Sequence, residues 1–124
     1  MIQKMSNAQI FALSNKLDSA LNAESRYMPA KITYFIHKNR TKLAEQMSFI
    51  EQARISIIQH YGDLDKNTGA YNVPDEVLDK ANQELNDLLK IEQDLDISMI
   101  KLSDLDSIDF TLEQMDALSF MIEE

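Results

Sequence analysis

Cysteine is absent from this chain, and glycine and proline occur only twice each. Without cysteine there are no disulfides, no thiolate zinc sites and no Cys nucleophile. An all-β fold needs a turn residue about every 8–12 positions, and so few Gly and Pro among 124 residues cannot supply them. Apolar runs are short as well. None approaches the roughly 20 residues of a membrane span, and Met1 to Ser6 contains no apolar signal core. A cytoplasmic protein without membrane contact is the expectation. Only two histidines are present, His37 and His60. They fall on one predicted helix, roughly 35 Å apart along its axis, so they cannot share a metal or a catalytic centre within one chain. No Glu-x-x-His cluster, phosphate loop, dinucleotide glycine fingerprint or nucleophile elbow occurs, and no cofactor is expected.

What is abundant is acid, and it is unevenly placed. Residues 1–62 hold eight Lys/Arg against four Asp/Glu, whereas residues 63–124 hold four against seventeen, for a net charge of -9. So acidic a chain is a poor match for a phosphate backbone, and direct nucleic-acid binding is not expected. The asymmetry suits a basic helix packed beside the acidic one. It equally suits a molecule with one basic and one acidic surface, able to assemble head to tail or meet a charged partner.

The clearest positive signal lies between residues 30 and 61. Ile36, Leu43, Ile50 and Ile57 recur every seven residues, with no Gly or Pro between them. Pro29 precedes the run, where its missing N–H costs nothing, and Gly62 comes directly after it. A helix of this length spans roughly 48 Å, too long for so small a domain to cover alone. A second apolar series, Leu78, Ala81, Leu85 and Leu88, predicts a helix over about 75–93, opened by Pro74, Asp75 and Glu76. Ser6 or Asn7 caps a first helix over about 7–24, and the capping-box pattern at Thr111 and Gln114 opens a last one over about 112–122. The whole reads as one domain, 1–124: mainly α, a long antiparallel αα-hairpin with short N- and C-terminal helices. Residues 95–102 admit two readings. The apolar spacing of the third helix continues through them, but Asp94 to Met99 alternates as a half-buried strand does. A strand there needs a partner, and Ile2–Met5 is the spare candidate for a minimal two-stranded β element.

Three constellations bear on chemistry. Asp63-x-Asp65-x-Asn67 has the start of a calcium-binding loop, but Thr68 and Pro74 stand where such a loop needs Gly and a bidentate Glu. A structural turn centred on Asn67-Thr68-Gly69, between two short extended arms, is the better account. Paired carboxylates such as Asp94/Asp96 and Asp104/Asp106/Asp109 sit in acidic, polar surroundings rather than a cleft, so no catalysis is expected of them. Arg26, Lys31, Lys38, Arg40 and Lys42 form the one basic cluster, with His37 among them. Lys31, Lys38 and Lys42 share a helix face and could hold a phosphate-bearing ligand; alternatively they solubilise the helix or pair with the acidic segment.

Several short stretches, Ser6-Asn7-Ala8-Gln9-Ile10, Lys38-Asn39-Arg40, Tyr61-Gly62 with Asp65-x-x-Thr68-Gly69, and Ile97 to Leu102, resemble small phage and prophage proteins of unknown function. That resemblance implies a head built from the chain ends, carrying a helical hairpin of variable length, and so favours the strand pair. It brings no active site. The functional expectation is a non-enzymatic, homo-oligomeric, phage-type protein-binding module, for example an inhibitor of a host defence or host enzyme. Its oligomer or hairpin interface would use Ile36, Leu43, Ile50, Ile57, Leu78, Leu85 and Leu88. A virion assembly factor and an oligomeric nucleotide-binding protein are the alternatives.

Overall fold

The computed structural model describes residues 1–22 and 28–123. It is mostly helical, about 66% helix with four α-helices and a few short strands. In chain order the elements are β1 (Ile2–Ser6), α1 (Asn7–Asn22), α2 (Ala30–Tyr61), β2 (Asp63–Leu64), β3 (Tyr71–Asn72), α3 (Asp75–Lys90), β4 (Glu92–Asp96), β5 (Ile100–Lys101), α4 (Leu112–Leu118) and β6 (Ile122–Glu123), with single 3-10 turns at Leu102–Leu105 and Ser119–Met121.

The bounds of α2 are those its punctuation predicts. Ile32 and Thr33 donate their N–H groups back to the Pro29 carbonyl, at 3.0 and 3.1 Å. At the other end the Gly62 N–H closes on the Ile58 carbonyl at 2.7 Å. A Cβ at Gly62 would stand 2.6 Å from that carbonyl oxygen, so the helix stop admits no side chain. The chain then makes the anticipated tight turn. Asp63 pairs with Asn72 and Leu64 with Tyr71. Between them Gly69 N–H donates to the Asp65 carbonyl, the Asp65 carboxylate accepts from Asn67 N–H at 2.9 Å, and Gly69 takes a left-handed φ of 74°. Asp65 is thereby engaged in building the turn.

α1 begins with a reciprocal cap. Ser6 Oγ accepts from Gln9 N–H, and Gln9 Oε1 accepts from Ser6 N–H. The last two positions of the expected helix over 7–24 lie outside the described residues. α3 ends at Lys90, three residues short of its expected limit, because β1 recruits the segment beyond it. β1 and β4 pair antiparallel, from Ile2↔Asp96 to Ser6↔Glu92, so Glu92 and Gln93 are strand. The expected strand over 95–102 is therefore displaced and divided. Its first half is β4, extended by an Ile97 N–H bond to the Met1 carbonyl. At Ser98 the ladder stops, since both backbone groups of that residue are taken by Asn39 of α2. It resumes at β5, which pairs in parallel with β6 through Ile100↔Ile122 and Lys101↔Glu123. The β5–β6 pair has no counterpart in the sequence expectations. The last helix opens on the predicted Thr111–Gln114 capping box but tightens to 3-10 after Leu118.

The hydrophobic core sits at one end of the molecule. Ile10, Leu17 and Ala20 of α1, Ile32, Ile36, Leu43 and Ile50 of α2, Leu95, Ile97 and Ile100 of the strands, and Ala117, Leu118 and Met121 near the C-terminus form one buried cluster. Of α3 only Ala81 is buried. Leu112, the first residue of α4, stands 91% exposed.

Candidate functional site

Two kinds of surface result from this arrangement: one saturated with polar contacts, the other apolar and incompletely covered.

Four carboxamides hold the saturated region together. Asn39, fully buried in the α2 stripe between Ile36 and Leu43, donates to the Ser98 carbonyl and accepts from the Ser98 N–H, both at 2.9 Å. It mimics a neighbouring strand where no strand runs. Gln114 donates to the Ala20 carbonyl at 3.3 Å, and Gln3 to the Phe120 carbonyl at 2.7 Å. Asn7 donates to the Leu88 carbonyl at 2.8 Å, while its own oxygen is buried without a hydrogen-bond partner. Each joins segments distant in sequence, and an unmade bond at such a place costs about 1–3 kcal/mol. None was singled out for this role in the sequence. Asn39 had a visible signal, a lone amide inside an apolar stripe.

Among the described residues the cations of the basic cluster are not gathered into one pocket. Lys31 pairs with Asp104 at 3.3 Å and Arg40 with Asp18 at 2.7 Å. Lys42 donates to the Asp96 carbonyl, and Lys38 stands 6.0 Å from the ring centre of Tyr34. Arg26 lies outside the described residues. Lys31, Arg40 and Lys42 thereby join α2 to the turn at Leu102–Leu105, to α1 and to β4. The Asp96 carboxyl is held below its ordinary value by the terminal ammonium of Met1, 3.2 Å away, with smaller help from Lys42 and Lys38. His37 and Arg40 line a cleft of about 360 Å³ between α1 and α2, crossed by the Arg40–Asp18 pair. Among the described residues no group of three or more His, Cys, Asp or Glu is placed to hold a metal ion.

The apolar surface belongs to α2 and α3. A cavity of about 260 Å³ opens where they meet α1, lined by Phe11, Met47, Ile50, Leu85, Leu88 and Leu89, with Glu51 and Arg54 at its edge. Arg54 grips Glu51 with two N–H groups, Nε at 3.0 Å and the second through Nη2. That fork lowers the Glu51 pKa and raises that of Arg54, despite some opposing desolvation. Further along, Glu84 of α3 meets the Tyr61 hydroxyl and raises its pKa. The predicted interface residues divide along this axis. Ile36, Leu43 and Ile50 are buried, Ile57, Leu85 and Leu88 are half-buried, and Leu78 is 39% exposed. Leu78 thus packs less than its place in the stripe suggested: it lies where only two helices are present, and a pair cannot cover both flanks of each stripe.

Comparison with known protein families, curated proteins and solved structures returns no match. The likeness to phage proteins rests on the quoted motifs alone. No helix is long and apolar enough to cross a membrane among the described residues.

Proposed function

We propose that this chain is a non-enzymatic protein-binding module of phage type, working in the host cytoplasm by occupying a surface on another protein. In this reading α2 and α3 act as a long antiparallel hairpin, an arm carried by the head that the chain ends build. The version to test first is inhibition of a host defence or host enzyme.

The observation that carries the proposal is the outward side of α2. Tyr34 and Phe49 are 62% and 57% exposed, on the side of the helix away from Ile36, Leu43 and Ile50. Lys38, beside Tyr34, lies on that side too. Exposed aromatic side chains are what protein interfaces enrich, and with Lys38 beside Tyr34 an acidic partner suits this side. The pairing of Lys31, Arg40 and Lys42 with groups of the chain itself favours this reading over nucleotide binding.

The test is capture from host lysate on the tagged protein, followed by the same capture with Tyr34→Ala and Phe49→Ala. One stoichiometric partner retained by the native chain and lost by both variants is the expected result. A clean eluate from the native chain would refute it. Copurification with virion proteins, together with loss of particles on deletion, would instead establish an assembly factor.

A further inference from the structure

We propose that the protein forms a twofold-symmetric dimer through the face of α2 that carries Glu51 and Arg54, each copy supplying the other's missing helix pair. Met47, Glu51, Arg54 and Ile58 are spaced 4-3-4, which places them in one row along α2. The row reads apolar, acid, base, apolar, and it is a palindrome in register. An antiparallel second copy centred between residues 52 and 53 sets Glu51 against Arg54, Arg54 against Glu51, and Met47 against Ile58. That is the condition for an isologous interface, in which one patch must complement itself.

The surroundings of the row agree. Ile55, on its edge, is 41% exposed. Leu78, Leu85 and Leu89 run along the neighbouring edge of α3 at i, i+7 and i+11. For antiparallel helices, the side of α2 that holds Glu51, Ile55 and Ile58 is the side of α3 that holds these three leucines. The two edges therefore form one apolar face with a single ion pair at its middle. Ile58 of the second copy arrives at Met47, on the wall of the cavity. The Glu51 and Arg54 side chains are each close to half exposed, 49% and 45%, so a second pair meets them without either losing its present partner. Four alternating charges then satisfy one another inside an apolar rim, and the aromatic side of α2 stays open.

This inference rests on the reading of α2 and α3 as a docking arm, but it concerns the purified chain alone. Loss of the dimer and loss of partner capture are thus separate results.

The experiment is sedimentation equilibrium of the full chain and of two single variants, Glu51→Arg and Arg54→Glu. Helicity is checked by circular dichroism. The native chain is expected at twice the 14.3 kDa of one copy. Each variant faces itself with four like charges, and its dimerisation should weaken by about tenfold or more. Mixing the two variants restores complementary charges and should give a heterodimer of the native mass. Ile55→Glu, which alters no ion pair, should be monomeric and stay so on mixing. A native chain at the mass of one copy overturns the proposal. So do single variants that dimerise as the native chain does, and so does a mixture that remains monomeric.

Discussion

Around Asn39 the stripe of α2 is closed. Ile36 and Leu43 are buried on either side of an amide whose two hydrogen bonds hold Ser98, and α1, β4 and the C-terminal turn complete the enclosure. Beyond Ile50 the apolar side chains of the same helix are half-buried or exposed. The heptad repeat is equally regular in both halves. What differs is the number of elements available to cover it. A sequence stripe records which residues need burial, whereas the topology decides where that need is met within one chain. Around Asn39 that need is met internally; beyond Ile50 apolar surface is left exposed.

That contrast can be broken most forcefully from the end around Asn39. Leu43→Ala should cost about 3 kcal/mol, the transfer loss plus an unfilled cavity, read by denaturant unfolding at constant m-value. Asn39→Ala leaves both backbone groups of half-buried Ser98 without their partner, and about 1–3 kcal/mol should be lost. Its signature is local: amide exchange at residues 98–101 accelerates beyond that of the β1–β4 pair. Gly69→Ala in the turn between β2 and β3 forces a left-handed φ on a side chain in open space and should cost about 1 kcal/mol, with the core around Asn39 unaffected. Leu78→Ala, at 39% exposure, should cost about 1 kcal/mol or less in dilute solution. The smallest effect is electrostatic. Arg54 depresses the Glu51 pKa below its usual 4.5, so the pair stabilises the fold above that value and its contribution fades as pH falls through the depressed pKa. The stability difference between the native chain and Glu51→Gln should shrink below that pH; a constant difference would show that the pair contributes nothing.

The helices and their punctuation were legible because each signal is local. Pro29 and Gly62 bound α2 at the residues expected, Thr111 and Gln114 open α4, and Asn67-Thr68-Gly69 turns the chain. The strands were legible only as a need for a partner. Alternation marked Asp94 to Met99, but register depends on β1 reaching Ser6 before α1 starts, and the interruption depends on Asn39, 59 residues away. The parallel β5–β6 pair is two residues long and leaves no period to read. The basic cluster was visible as composition. Which carboxylate or carbonyl each cation meets is a property of packing, and Asp18, Asp104 and the Asp96 carbonyl are separated widely in sequence. The cavity was out of reach for the same reason, since Phe11 joins Met47 and Leu89 only once three helices have met.

Residue-resolved hydrogen exchange across a concentration series tests the contrast between the two halves of α2. The amides of α1, β1, β4 and α2 up to Ile50 should show protection that does not depend on concentration. Those of residues 51–61 and 77–89 should become slower as concentration rises and the exposed face finds its cover. Protection that is uniform along α2, and unchanged from the most dilute sample to the most concentrated, would refute that contrast.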